Sequence, residues 1–135
     1  MYYPYLKNVF EQSRRLVSAL LFFILSLLTF QTTLSANMFQ DQAEVYRVHG
    51  YEEQQKGHYK KALEYYSKAL SMGLENEVLY NDMAVVYETV GARERAKGLY
   101  LQAIKLNPDY LAPYTNMAYL CLDSGDKEGA AKYFE

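Results

Sequence analysis

Beyond residue 42, apolar residues recur at i, i+3, i+4 and i+7, the spacing of helices with one buried stripe. Tyr80, Met83, Ala84 and Tyr87 form one stripe, and Ala96, Tyr100, Ala103 and Ile104 form a second. Gly91 lies between them, where a left-handed C-cap suits glycine. Asn107-Pro108 closes the second stripe, because proline cannot occupy a helix interior. The predicted unit is helix, tight turn, helix. Ala84 and Ala96 are small where the two helices cross, and Tyr87 and Tyr100 fill the space around them. The unit recurs every 34 residues: Tyr46, Tyr80 and Tyr114; Gly50, Ala84 and Ala118; Gly57, Gly91 and Gly125; Ala62, Ala96 and Ala130; Tyr66, Tyr100 and Phe134. A fixed period of this length predicts stacked repeats, since one hairpin cannot bury both its faces.

Before residue 40 the pattern is different. Leu16–Phe30 is an unbroken apolar run with no polar face, and no charged residue occurs between Arg15 and Asp41. Lys7, Arg14 and Arg15 precede the run, and Leu34-Ser35-Ala36 follows it. A basic flank, a short apolar core and small residues at the end predict a cleaved secretory signal peptide. Leu16–Ala36 is also long enough to span a bilayer, so a retained membrane anchor is the alternative. Positive charge flanks only the N-terminal end, so both readings leave that end cytoplasmic and place the repeats outside the cytoplasm, in a bacterial periplasm or a lumen. Residues 1–36 are thus predicted as signal or anchor, 37–42 as a short polar joint holding an anchored form close to the membrane, and 43–135 as the repeats.

The repeated residues resemble the tetratricopeptide repeat, whose pattern is an aromatic, then small, aromatic, Gly, Ala, aromatic, Ala and Pro. The middle unit carries it as Tyr80, Ala84, Tyr87, Gly91, Ala96, Tyr100, Ala103 and Pro108. The first unit carries Tyr46, Gly50, Gly57, Tyr59, Ala62, Tyr66 and Ala69, with Glu53 in the second aromatic slot and Leu74 in the proline slot. The third carries Tyr114, Ala118, Gly125, Ala130 and Phe134, with Cys121 in the aromatic slot. The resemblance implies an all-α solenoid of antiparallel hairpins, with repeats at 43–76, 77–110 and, incomplete, 111–135, behind a hydrophobic N-terminal helix. It also implies a concave groove lined by the first helix of each hairpin. The residues that match groove positions are Glu44, Arg47, Val48, Tyr51 and Gln54; Val78, Asn81, Asp82, Val85 and Glu88; and Ala112, Thr115, Asn116, Tyr119 and Leu122. Such a surface suits an extended or helical peptide. A specialised groove of the family clamps a C-terminal carboxylate; the matching positions here are Arg47, Tyr51, Asp82, Ala112 and Asn116. Asp82 would repel a carboxylate, so no such clamp is expected.

Charge narrows the partners. Residues 41–135 hold 11 basic and 15 acidic residues, a net charge of −4. That argues against nucleic acid, which needs clustered Lys and Arg. Lys60, Lys61, Arg93 and Arg95 are expected on solvated faces. Cys121 is the single cysteine, so an intrachain disulfide is excluded, and its slot predicts a buried inert thiol. His49 occupies the packing position of Met83 and Met117, and His58 lies in a turn; neither has metal-ligand spacing to a partner. Asp123-Ser124-Gly125-Asp126 lacks the later glutamate of a calcium loop. No cofactor or catalytic constellation is predicted.

The expected function is a non-catalytic scaffold or assembly factor that binds another protein, exported to or anchored at the membrane. A photosystem-type assembly factor and the regulatory arm of a larger enzyme, such as a glycosyltransferase, are alternatives. Residue 135 falls within the second helix of the third unit, leaving an apolar edge. The chain is expected to continue past Glu135, with self-association through that edge as the other outcome.

Overall fold

The structure is a computed structural model that describes residues 3–134. Among these residues it is all-α, with six helices: α1 Tyr3–Gln55, α2 Tyr59–Ser71, α3 Glu77–Thr89, α4 Arg93–Leu106, α5 Leu111–Asp123 and α6 Lys127–Phe134. The chain divides into two compact units, Met1–Phe39 and Gln40–Glu135.

The first unit is helical, and its apolar side chains are exposed, among them Leu16, Leu20, Phe22, Phe23, Leu27 and Phe30. From Lys7 onward α1 is long and apolar enough to cross a membrane. The hydroxyl residues that dilute the apolar run do not leave their polar atoms unpaired. Ser26 Oγ donates to the Phe23 carbonyl at 2.8 Å and Thr29 Oγ1 to the Ser26 carbonyl at 2.9 Å. Back-bonding of this kind satisfies a hydroxyl within its own helix. Residues 37–42, expected as a short polar joint, are helical. No turn interrupts them, and α1 runs through. The segment has no glycine or proline, so nothing in it breaks a helix.

In the second unit three hairpins follow one another: residues 43–55 of α1 with α2, then α3 with α4, then α5 with α6. Each turn is closed in the same way. Gly57, Gly91 and Gly125 have φ of +78°, +81° and +82°, as the glycine spacing predicts. In the middle turn, Gly91 N–H donates to the Glu88 carbonyl at 2.9 Å and Ala92 N–H to the Tyr87 carbonyl at 2.8 Å. This is a Schellman closure, which satisfies carbonyls that the helix end would leave unpaired. Gly73 and Leu74 repeat it on Ala69 and Leu70 between the first two hairpins. There the buried Leu74 stands in the slot that proline would take.

Two cores lie between successive hairpins. Leu79, Met83 and Val86 of α3 are buried against Ala62, Tyr66 and Ala69 of α2. Met117 and Leu120 of α5 are buried against Ala84, Ala96 and Tyr100. Position for position, the equivalent residues of the first hairpin are Val45, His49 and Glu52, and all three are exposed. His49 is therefore exposed rather than enclosed in a core, and its ring leans on Tyr65 at 5.7 Å between ring centres. Its Nδ1 lies 3.3 Å from Glu52 Oε2, because no hairpin precedes it among the described residues to cover that face.

Candidate functional site

The residues expected to line a groove fall in two rows along the first helices of the hairpins. The inner row is linked across hairpins. Arg47 directs Nη1 to Asp82 Oδ2 at 2.8 Å, while its Nε donates to Glu44 Oε1 at 2.7 Å. One hairpin further on, Asn116 Nδ2 donates to Asn81 Oδ1 at 3.1 Å. Both rungs join residues 35 apart, one more than the period, so each links neighbouring helices across the stack. Asn81 and Asp82 are buried as a result. Burial pushes the Asp82 carboxyl up, against the pull of the Arg47 guanidinium. The Arg47 guanidinium is itself held charged, first by Glu44 and, against its own burial, by Asp82.

This changes the reading of two site residues. Arg47 and Asp82 were expected to face a ligand as separate charges. Instead each occupies the other, and Asn81 is taken up by Asn116. These four side chains thus pair with one another across neighbouring hairpins. Thr115 is exposed beside Asn116.

The outer row is apolar and one period apart: Tyr51, Val85 and Tyr119. Tyr51 is 46% exposed and Tyr119 57%, and Val85 is half-buried. Beyond them lie Gln54, Glu88 and Leu122, and the first two each meet an aromatic of their own hairpin's second helix. Tyr66 Oη donates to Gln54 Oε1 at 2.7 Å, and Tyr100 Oη donates to Glu88 Oε2 at 2.6 Å. Burial raises the pKa of both phenols, and for Tyr100 the Glu88 carboxylate adds to it. The third hairpin has Leu122 and Phe134 in these positions, so donor and acceptor have been replaced together. Both are exposed, and Phe134 makes an edge-on contact with Tyr119 at 6.0 Å between ring centres.

Behind the turns lies a cluster that sequence reasoning missed. Glu53 is buried, with Lys56 Nζ at 2.9 Å, His58 Nδ1 at 2.9 Å and Lys61 Nζ at 3.2 Å. Hydrogen bonds from Lys56, then His58 and Lys61, pull its carboxyl down to about 2. One period on, Arg95 lies over the Tyr87 ring, 5.3 Å from its centre. Lys61 and Arg95 are exposed, as expected, and each also leans on the residue in the second aromatic slot. In the third hairpin the corresponding pair is Cys121 and Gly129. Cys121 is half-buried rather than enclosed, and it borders a cavity of about 120 Å³ that also touches Arg93, Lys97 and Asp126.

Comparison with known proteins agrees with this architecture. The tetratricopeptide-repeat family model matches residues 43–72 and 78–110, and these residues are tetratricopeptide repeats. The third hairpin lies beyond the matched residues but has the same helix–turn–helix build. Sequence comparison with curated proteins finds no significant match. Among solved structures, the crystal structure of MamA is 22% identical with a TM-score of 0.64, covering 68% of this chain and 54% of that one. The chain therefore spans about half the length of MamA. The Sgt2 repeat domain from Aspergillus fumigatus is 22% identical with a TM-score of 0.63, covering 69% of this chain and 62% of that one. The second repeat domain of Spaghetti (RPAP3), solved bound to the HSP90 peptide SRMEEVD, is 23% identical with a TM-score of 0.64, covering 70% and 88%. Likeness at these identities establishes a shared fold, a tetratricopeptide solenoid.

Proposed function

We propose that this array of tetratricopeptide repeats is a non-catalytic protein-binding module whose concave face receives a peptide segment of another protein. The observation that carries this reading is the division of the groove. The polar side chains expected at its floor are satisfied by rungs within the protein, while Tyr51 and Tyr119 of the apolar row stay exposed on either side of the half-buried Val85. Exposed tyrosines offer large contact area at low entropic cost and are enriched where proteins bind. The Spaghetti domains, similar in fold, are solved with a peptide bound, which supports the same use of this face. Residues 16–36 would carry the module to the membrane, as a cleaved signal or a retained anchor. The apolar length of α1 supports that part of the reading.

The test is crosslinked recovery of the tagged protein from its native cells, beside a variant carrying Tyr51→Ala and Tyr119→Ala. Asn81 is a poor choice of probe, because its loss would disturb the Asn116 rung as well as the ligand. One dominant partner, absent from the variant sample, is the expected result. A partner kept by the variant would move the interface to the convex face or to the Phe134 edge. Recovery of only this protein would replace the adaptor reading with self-assembly.

A further inference from the structure

The groove's own chemistry narrows the partner further, on the premise that the concave face is the binding face. Among the concave residues named above, the one cation is Arg47, and its guanidinium is occupied on both sides. Nε and Nη2 meet Glu44, and Nη1 meets Asp82. Three carboxylates, Glu44, Asp82 and Glu88, thus stand against one cation, and only the first two pair with it. Glu88 accepts from the Tyr100 hydroxyl, a neutral donor that leaves the carboxylate charge in place. The field above the floor is negative, and residues 41–135 reinforce it with a net charge of −4. Between Glu44 and Glu88 runs the apolar row of Tyr51, Val85 and Tyr119.

We infer that this groove selects a segment that combines lysine or arginine with large apolar side chains, and rejects acidic tails. The apolar side chains lie on Tyr51, Val85 and Tyr119, and the cations pair with the carboxylates at the rim. No unpaired cation is offered to a terminal carboxylate, and an acidic peptide would meet Glu44 and Glu88 without compensation. Charge complementarity of this kind sets specificity and association rate more than raw affinity.

The experiment is selection of a random-peptide phage library on the full-length protein in detergent micelles. It is followed by affinity measurement with a synthetic peptide of the enriched sequence. Enriched peptides are expected to pair Lys or Arg with Leu, Phe, Tyr or Trp. Tyr119→Ala should weaken that peptide about tenfold, the loss typical of a buried aromatic anchor. Glu88→Gln keeps the acceptor for Tyr100, and should weaken binding several-fold at low salt and less at high salt. The peptide SRMEEVD should not compete. Enrichment of acidic peptides, competition by SRMEEVD, or no enrichment at all would overturn the inference. Cationic apolar peptides that bind Tyr51→Ala and Tyr119→Ala variants unchanged would show instead that the concave face is not the binding face. Matching thermal midpoints of all variants would exclude misfolding as the cause.

Discussion

At the scale of single residues, the second aromatic slot shows one position solved three ways. Tyr87 takes a cation on its face from Arg95, Glu53 takes an ion pair from Lys61, and the corresponding positions in the third hairpin are Cys121 and Gly129, which carry no such charge. The Glu53 cluster has a pH consequence. Its carboxyl is pulled below the ordinary value of 4.5 to about 2, so folding favours the ionised form. The stabilisation is fully present above about 4.5 and is lost as pH falls toward 2. Comparing the thermal midpoint of the protein with that of Glu53→Gln across this range checks it. The variant should melt lower at neutral pH, with the gap closing by pH ~2. A gap independent of pH would mean that packing, not charge, is what the substitution removes.

The 34-residue alignment of Glu53, Tyr87 and Cys121 was plain in the sequence. The partner eight residues later was not, because it lies across a turn and so on no single helical face. Glycines separate in the same local way. Gly98 lies within α4, and a methyl group there meets nothing within 4 Å. Gly98→Ala should stabilise the protein by about 1 kcal/mol, the propensity difference alone. At Gly50 an added methyl would come within 2.5 Å of the buried Tyr66 ring, which Gln54 holds in place. Gly50→Ala should therefore destabilise by about 1–3 kcal/mol, overpacking outweighing propensity. Denaturant midpoints of the two variants, moving in opposite directions, would check both.

At the scale of the hairpin, the tyrosine and its acceptor twelve residues earlier act as one unit. Tyr66 with Gln54 and Tyr100 with Glu88 each tie the second helix to the first, and Phe134 with Leu122 substitutes an apolar pair. The two pairs are legible as a covariation within one chain, once the hairpin geometry is known. From sequence alone Tyr66, Tyr100 and Phe134 appeared only as three aromatics on one period. Their surroundings differ too: Tyr66 and Tyr100 are fully buried, while Phe134 is 56% exposed, since no helix among the described residues covers α6 as α3 and α5 cover α2 and α4. A double-mutant cycle tests the pairing. Leu122→Glu and Phe134→Tyr, made together, should recover about 0.5–1.5 kcal/mol relative to the sum of the single changes. Simple additivity would mean that the third hairpin cannot adopt the geometry of the second, so that its apolar pair reflects a different packing.

At the scale of the whole array, stability depends on how firmly neighbouring hairpins are joined, since solenoid repeats contact only their neighbours. Sequence reasoning named Arg47 and Asp82 as groove positions but did not show that they pair. Their link spans 35 residues and exists only once the hairpins are stacked. The two rungs differ in kind. Asn81 and Asn116 are neutral, and replacing both by alanine removes donor and acceptor together, at a cost of about 1 kcal/mol or less. The charged rung cannot be cut so cheaply. Arg47→Met leaves the buried Asp82 without its guanidinium, and a loss of roughly 2–3 kcal/mol follows, below a fully enclosed pair because Arg47 and Asp82 keep some exposure. Without Arg47, burial raises the Asp82 carboxyl further, so the folded variant holds a proton that the unfolded chain has already released. The penalty should therefore be largest at neutral pH and shrink as pH falls toward the ordinary carboxylate value. Because this rung joins the first hairpin to the second, the damage should also be local. Amide exchange in α2 should accelerate well before exchange in α4, where the pairing of α4 with α3 and α5 is untouched. If α2 and α4 continue to exchange together in Arg47→Met, coupling between the first two hairpins rests on the Tyr66–Leu79–Met83 core, and the rung serves only to shape the groove floor.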